Sequence, residues 1–289
     1  MNASLRRIRA IASTTLLELT RLRVFYVLIL FALVLIISST FLARISFQQE
    51  FQVTKDISLG AINFFLSLLA IVATAQLLPR DMEDRVVYSV LAKPVSRFDY
   101  VIGKFFGVIA LLIISLVAMS LLCFIVLHFR AEAALHDANQ QMSQLASPQL
   151  SSGGQAIHGA GLNSDLVVAL SLILAKCVIL AAVTLCISAF ATSTIFTISA
   201  MAMVYLVGNL EGVVRDYWLQ EHPAGWLARA FLAFVAFVFP DLQAFDISDL
   251  VTSGISTTGP FLAKLLGLAA IYAVSYLLLA IAIFYQREL

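Results

Sequence analysis

Charge is what this chain has least of. Only 12% of its 289 residues are Asp, Glu, Lys or Arg, against 61% hydrophobic residues and a mean hydropathy of +0.98. One water-soluble core cannot enclose that share of apolar side chains, so a soluble globular fold is excluded. A net charge of +1 offers no basic field, which disfavours a nucleic-acid partner. Cysteine is scarce: Cys123, Cys177 and Cys186 all lie in apolar stretches and read as small buried apolar residues, not as a disulfide framework. The four histidines, His128, His136, His158 and His222, fit no zinc or copper spacing, so no metal site is expected. Paired carboxylates, Ser-His and Cys-His arrangements and H-E-x-x-H are absent, so no catalytic residue is assigned. A phosphate-binding G-x-x-x-x-G-K-[ST] loop is also missing: Gly103-Lys104 has Phe98 at the first glycine position and Phe105 after the lysine. The chain is not expected to hydrolyse ATP.

What is abundant is long apolar runs. A membrane-crossing helix needs about 20 residues, and six stretches qualify: 24–43, 57–78, 101–127, 166–189, 194–211 and 261–284. They predict an all-α integral membrane fold, a single transmembrane domain over 1–289 with six transmembrane helices. Two further segments are too short or too amphipathic to span. Over 1–23, Leu5, Ile8, Ala12, Leu16 and Leu19 form a helical stripe opposite Arg6, Arg7 and Arg9, the pattern of an interfacial helix. A cleaved signal peptide fits less well, because 24–43 is too long for its apolar core and Arg44 follows without a small-x-small site. The segment 226–239 reads as a re-entrant or interfacial helix on the outer side, leaving through Phe239, Pro240, Asp241 and Leu242 toward Phe245 and Asp246.

Lysine and arginine orient the spans. With the N-terminus inside, one side collects Arg6, Arg7, Arg9, Arg21, Arg23, Arg80, Arg85, Lys93, Arg97, Lys104 and Arg287; the other has Arg44, Lys55, Arg130, Arg215 and Arg229 in loops. That asymmetry satisfies the positive-inside rule. A multi-pass protein of the plasma (inner) membrane with both termini cytoplasmic is expected. The segment 128–164, rich in Gln, Ser, Ala and Gly, is expected to form a mobile extracytoplasmic loop.

The densest charge lies between the second and third spans, over 79–100. Pro79 is expected to close the preceding run. Asp81, Glu83 and Asp84 are expected in the first turn of a new short helix, at the positive end of its dipole. Met82, Val86, Val87, Val90 and Leu91 recur at three- and four-residue spacing, with Arg85 and Ser89 facing away. Lys93 and Pro94 end this helix. Ser96 and Asp99 then form a capping-box pattern, with Val95 and Tyr100 placed as a hydrophobic staple.

The run from Glu83 through Leu91-Ala92-Lys93-Pro94-Val95-Ser96-Arg97, closing on Gly103-Lys104, resembles the coupling-helix stretch of type-2 ABC exporter permeases. It is most similar to the group containing the membrane subunit of the copper-enzyme maturation exporter. Val86-Val87 departs from that family's frequent glycine-threonine. The resemblance implies a cytoplasmic coupling helix that docks a separate ABC ATPase subunit through Asp81, Glu83, Asp84, Arg85, Val87, Leu91, Lys93 and Arg97. It also implies a homodimer, or a heterodimer with a second permease, in the lipid bilayer, with no cofactor on this chain and ATP and Mg on the partner ATPase. Ser151-Ser-Gly-Gly-Gln155 looks like the ATPase signature sequence but lacks the domain it serves.

Polar residues inside spans are costly and mark candidate pathway positions. They are Asn63, Gln76, Lys176, Asn209 and Glu211. Lys176 either faces a pathway or carboxylate, or snorkels toward the outer headgroups, and the second is the plainer expectation. Gly103-x-x-x-Gly107 permits close helix contact. The alternative function is an ion-coupled secondary transporter or channel without an ATPase, which would show broken helices, internal repeats and matching midplane charges.

Overall fold

The computed structural model describes residues 2–43, 50–84, 96–144, 164–191, 193–221, 241–245 and 259–286. These are helical nearly throughout, with no strand among the described residues. The helices are α1 (Asn2–Thr20), α2 (Arg23–Ala43), α3 (Glu50–Ala75), α4 (Leu77–Glu83), α5 (Arg97–Gln144), α6 (Ser164–Phe190), α7 (Thr194–Glu221) and α8 (Gly259–Gln286), with one 3-10 turn at Gln243–Phe245 before α8.

The helix α6 is apolar on every side and is the hub. It packs on α3, α4, α5, α7, α8 and the 3-10 turn. Ala169, Ala175, Cys177, Ala181, Ala182, Cys186 and Ala189 are all buried along it, small side chains that let neighbouring backbones approach. Against it α8 lays one stripe, Leu265, Ala269, Ala273, Ala280 and Phe284, while Ile271, Val274, Leu278 and Leu279 face outward. That split is the signature of a helix between protein and lipid. The three cysteines are free and buried.

Four helical stretches are long and apolar enough to cross a membrane: Val53–Glu83, Arg97–Phe129, Leu166–Phe190 and Leu262–Gln286. A fifth is reached if α1 and α2, bent by 66° at their junction, count as one. The remaining apolar helix, Thr194–Leu210, is shorter. All six apolar stretches read from the sequence are helical, but by length and apolarity alone four to five qualify as spans.

Three boundaries differ from expectation. Pro79 does not end a helix: the break falls at Gln76, and Pro79 sits in the first turn of α4, where a missing amide hydrogen costs nothing. Consequently Asp81 and Glu83 lie toward the C-terminal end of α4 with Asp84 as its cap, not in a first turn. Second, α3 begins at Glu50, so Lys55 is a buried helical residue and not part of a loop. Third, α5 continues to Gln144, well into the segment expected to be a loop. The run Ala131-Glu-Ala-Ala-Leu135 is rich in strong helix formers, which carry the helix on after the apolar residues stop. The rest of the 128–164 segment from 145 to 163, the 226–239 helix and residues 85–95 lie outside the described residues.

One end of the bundle gathers the first turn of α1, the start of α5 and the last turns of α8. Ser4 of α1 donates to Asp99 of α5 at 2.6 Å, and the Arg97 guanidinium donates to the carbonyls of Phe284 and Tyr285 in the last turns of α8 at 3.4 and 3.0 Å. Cysteines at Ser4, Ser96 and Gln286 are therefore expected to react with a membrane-impermeant thiol reagent from the same side of sealed vesicles. Labelling of any one of them from the other side would break this arrangement.

Candidate functional site

The buried charges of this end form one junction. Lys104, two turns into α5, is 6% exposed, and its ammonium lies 2.8 Å from the carboxylate of Asp81, itself 4% exposed. The Tyr100 hydroxyl donates to the same oxygen, Asp81 Oδ2. Glu18 of α1 lies 3.4 Å from Lys104 on the more exposed side. Three elements that are separate in sequence, the end of α1, the end of α4 and the start of α5, are thus tied through one ammonium. A buried pair is helped by further hydrogen bonds to its members, and here Tyr100 adds one to Asp81 and Glu18 one to Lys104. The Tyr100 ring stacks on Phe284 at 6.0 Å, bringing α8 into the same junction.

Local sequence explains the geometry. Ser96 caps α5 by accepting from the Asp99 backbone N–H at 3.0 Å, as the capping-box pattern predicts. The reciprocal side chain is used differently, since the Asp99 carboxylate takes the Ser4 hydroxyl of α1. Val95, the other half of the expected staple, lies outside the described residues; the Tyr100 ring meets Phe284 and its hydroxyl meets Asp81. The apolar stripe of α1 faces α5, with Ile8, Ile11, Ala12, Thr15 and Leu19 wholly or partly covered. Leu5, expected on that stripe, is 60% exposed, because the meeting face follows Ser4, Ile8, Ile11 and Thr15.

Gly103 and Gly107 make this contact possible. A Cβ on Gly103 would sit 2.8 Å from Ile11 Cβ, and one on Gly107 would sit 2.7 Å from Thr15 Cβ. Both are closer than atoms approach, so glycine is required at each.

The residues expected to dock a partner divide into three groups. Asp81 is buried and serves as an internal anchor, a role its charge alone could not reveal. Glu83 and Asp84 are exposed, Asp84 lying 3.7 Å from Arg80. Arg97 braces α8 through the carbonyl end of that helix, with its guanidinium 5.8 Å from the Tyr285 ring. Arg85, Val87, Leu91 and Lys93 lie outside the described residues. Glu18 is not singled out by any local pattern, and Tyr100 is marked by the sequence only as half of a staple, not as a partner of Asp81.

The pathway candidates are partly brought together. Lys176 is 1% exposed and does not snorkel: its ammonium donates to Asn209 at 3.3 Å and lies 5.8 Å from the Tyr205 ring. The Asn209 side-chain carbonyl and the Tyr205 ring of α7 give the ammonium partners inside the bundle, so the lysine turns inward. Asn209 in turn donates to the Tyr205 carbonyl at 2.8 Å. Asn63 is buried in α3, Gln76 forms the α3–α4 break, and Glu211 lies farther along α7. Nearby, Asp241 accepts from the backbone N–H groups of Gln243 and Ala244, capping the 3-10 turn that buries Leu242 and Phe245. Among the described residues no group of His, Cys, Asp and Glu is arranged to hold a metal.

No curated protein matches the chain. The family model described as ABC-2 family transporter protein matches residues 2–214, from α1 through the charged junction and into α7. That match spans well over half of the chain and contains every member of the Glu18, Asp81, Tyr100 and Lys104 junction, so this protein belongs to the ABC-2 family of membrane transporter proteins.

Proposed function

We propose that this chain is the transmembrane permease subunit of an ATP-driven ABC exporter, forming the substrate pathway and coupling to a separate ATPase subunit that carries ATP and Mg. One observation carries the coupling role: the 79–100 segment is tied to the bundle on both sides. Asp81 holds its start to Lys104, and Arg97 holds its end to α8. A segment so anchored passes displacement into α1, α5 and α8 instead of absorbing it. In this reading α2, α3 with α4, the first part of α5, α6, α7 and α8 are the six spans, α1 lies on the cytoplasmic leaflet, and both termini are cytoplasmic in the plasma membrane. The exposed Glu83 and Asp84, with Arg85, Val87, Leu91 and Lys93, form the docking surface.

Two such subunits, alike or related, enclose the pathway. ATP binding brings the ATPases together, the anchored segment shifts, and the bundle opens outward, an alternating-access cycle driven by the partner. Lys176 with Asn209 is the pathway's candidate for an anionic substrate group. The Pro-Val-Ser-Arg block with Gly103-Lys104 supports the nearer likeness to the copper-enzyme maturation exporter subunit.

Glu83→Lys and Leu91→Asp test the docking. Each is expected to weaken ATPase association by about 2–5 kcal/mol, thirty-fold or more, and to abolish transport-coupled ATP turnover. Membrane insertion should be unchanged, because Glu83 is the exposed last residue of the Val53–Glu83 stretch and Leu91 lies beyond it. Wild-type ATPase stimulation in both variants would refute the docking assignment, whereas transport retained with no ATPase bound would favour a transporter that works without one.

A further inference from the structure

Beside the charged junction a crevice of about 370 Å³ opens between α1 and α4, lined by Thr14, Leu17, Glu18, Arg21, Leu22 and Arg80. Its volume suits a small polar group and is too small for a folded partner segment. Both arginines are exposed. Arg21 has no ion pair among the described residues, and Arg80 reaches only Asp84 at 3.7 Å, an exposed helical pair that competes weakly. Glu18, the crevice's one carboxylate, is drawn toward Lys104. Two guanidinium groups therefore stand at the mouth with their donors available to an anion.

The other wall is apolar. Leu17 is 58% exposed, and past Leu22 the outward face of α2 continues with Val24, Tyr26 and Val27. A ligand filling both parts must carry an anionic head and a greasy tail. The wider field agrees: residues 2–43 contain five arginines, Arg6, Arg7, Arg9, Arg21 and Arg23, against Glu18 as the only acid. The 66° bend between α1 and α2 puts the crevice where an amphipathic helix gives way to a lipid-facing one.

We propose that this crevice binds the headgroup of an anionic phospholipid, its phosphate oxygens held by Arg21 and Arg80 and its acyl chains lying along Leu17 and the outer face of α2. Guanidinium forks match phosphate oxygens in pairs. A basic amphipathic helix beside a span is where anionic lipids concentrate. An acidic protein surface would use the arginines but leave the leucine wall in water, which favours lipid as the occupant. The assignment requires only that α2 faces lipid and is independent of any ATPase.

The test is native mass spectrometry of the full-length protein in detergent, titrated with phosphatidylglycerol or phosphatidylcholine. The wild type is expected to retain phosphatidylglycerol in preference. Arg21→Gln with Arg80→Gln should lower that apparent affinity about thirty-fold, and the paired lysine variants should keep part of it. Arg6→Gln with Arg7→Gln, on the same helix but outside the crevice, should leave it unchanged, as should excess inorganic phosphate. Equal retention of the two lipids by the wild type would overturn the proposal, as would undiminished phosphatidylglycerol binding by the Arg21/Arg80 glutamine variant. Displacement of the lipid by inorganic phosphate would do the same by showing a free-anion site. So would loss of a co-purifying ATPase with lipid retention intact, which would make the crevice a protein-docking surface.

Discussion

Lys104→Met is expected to destabilise the charged end of the bundle by about 3–5 kcal/mol, the cost of leaving a buried ion without its counter-ion. Asp81 is 4% exposed, and with the ammonium gone Tyr100 is its remaining partner among the described residues. Asp81→Asn should be damaging too, because Lys104 would then depend on Glu18 at 3.4 Å, across a partly exposed contact. Combining Asp81→Asn with Lys104→Met removes both charges from the interior. Replacing both members of a buried pair is far less costly than removing one. The double variant is therefore expected to recover much of the stability lost in either single variant. Melting in detergent across the four proteins forms a double-mutant cycle, and neighbours in one network show interaction energies of about 0.5–3 kcal/mol. Single variants that each shift stability by less than about 0.5 kcal/mol, as exposed pairs do, would show that this ion pair is not an anchor. Transport separates the two roles of the pair. Recovered stability in the double variant should not bring back coupling, because the ionic tie between α4 and α5 is still missing.

Gly103→Val with Gly107→Val is expected to detach α1 from α5. Even one added carbon at either site lies within 2.8 Å of the Cβ of Ile11 or Thr15, atoms next to the α1 backbone that cannot swing aside. Overpacking of this kind costs about 1–3 kcal/mol per site. The contact it opposes is a single helix face together with the Ser4–Asp99 and Glu18–Lys104 pairs. Two valines should exceed what that face supplies. A disulfide between cysteines at Ser4 and Asp99 should then form in the wild-type background and fail in the double-valine background, while α1 becomes open to protease. Gly60 and Gly267 provide the internal control, since nothing lies within 4 Å of a Cβ built on either. Alanine there should be neutral or stabilising by about 0.5–1 kcal/mol, as for an unconstrained helical glycine. If the 103/107 variants behave like the 60/267 variants, α1 is not seated as described.

The features legible in the sequence were those carried by neighbours along the chain. The Ser96 cap depends on residues three apart, and it forms as read. The close-contact glycines are four apart, and their spacing disclosed that a helix packs there but not that the partner is the chain's own N-terminal helix. The α3–α4 break was misplaced at Pro79, because a proline near a boundary is equally compatible with starting a helix as with stopping one. Residues beyond 128 were read as loop because their polarity outweighed the helix propensity of Ala131 through Leu135.

Composition and the order of its apolar runs determined by themselves that this protein lives in a membrane as a bundle of helices. Transfer of apolar surface from water is local and additive, and needs no knowledge of which helices touch. Tertiary structure alone decided the fate of each rare charge. Asp81 and Glu83 are two residues apart and chemically alike, yet one is an interior anchor and the other an exposed carboxylate. Lys176, free by sequence to reach for headgroups, turns to Asn209 on a neighbouring helix. The reason is the same in each case. A charge in a low-dielectric interior is tolerable only beside a partner: Asp81 finds Lys104 and Tyr100 on another helix, Lys104 reaches Glu18 86 residues away, and Lys176 reaches Asn209 33 away, separations over which local pattern carries no information.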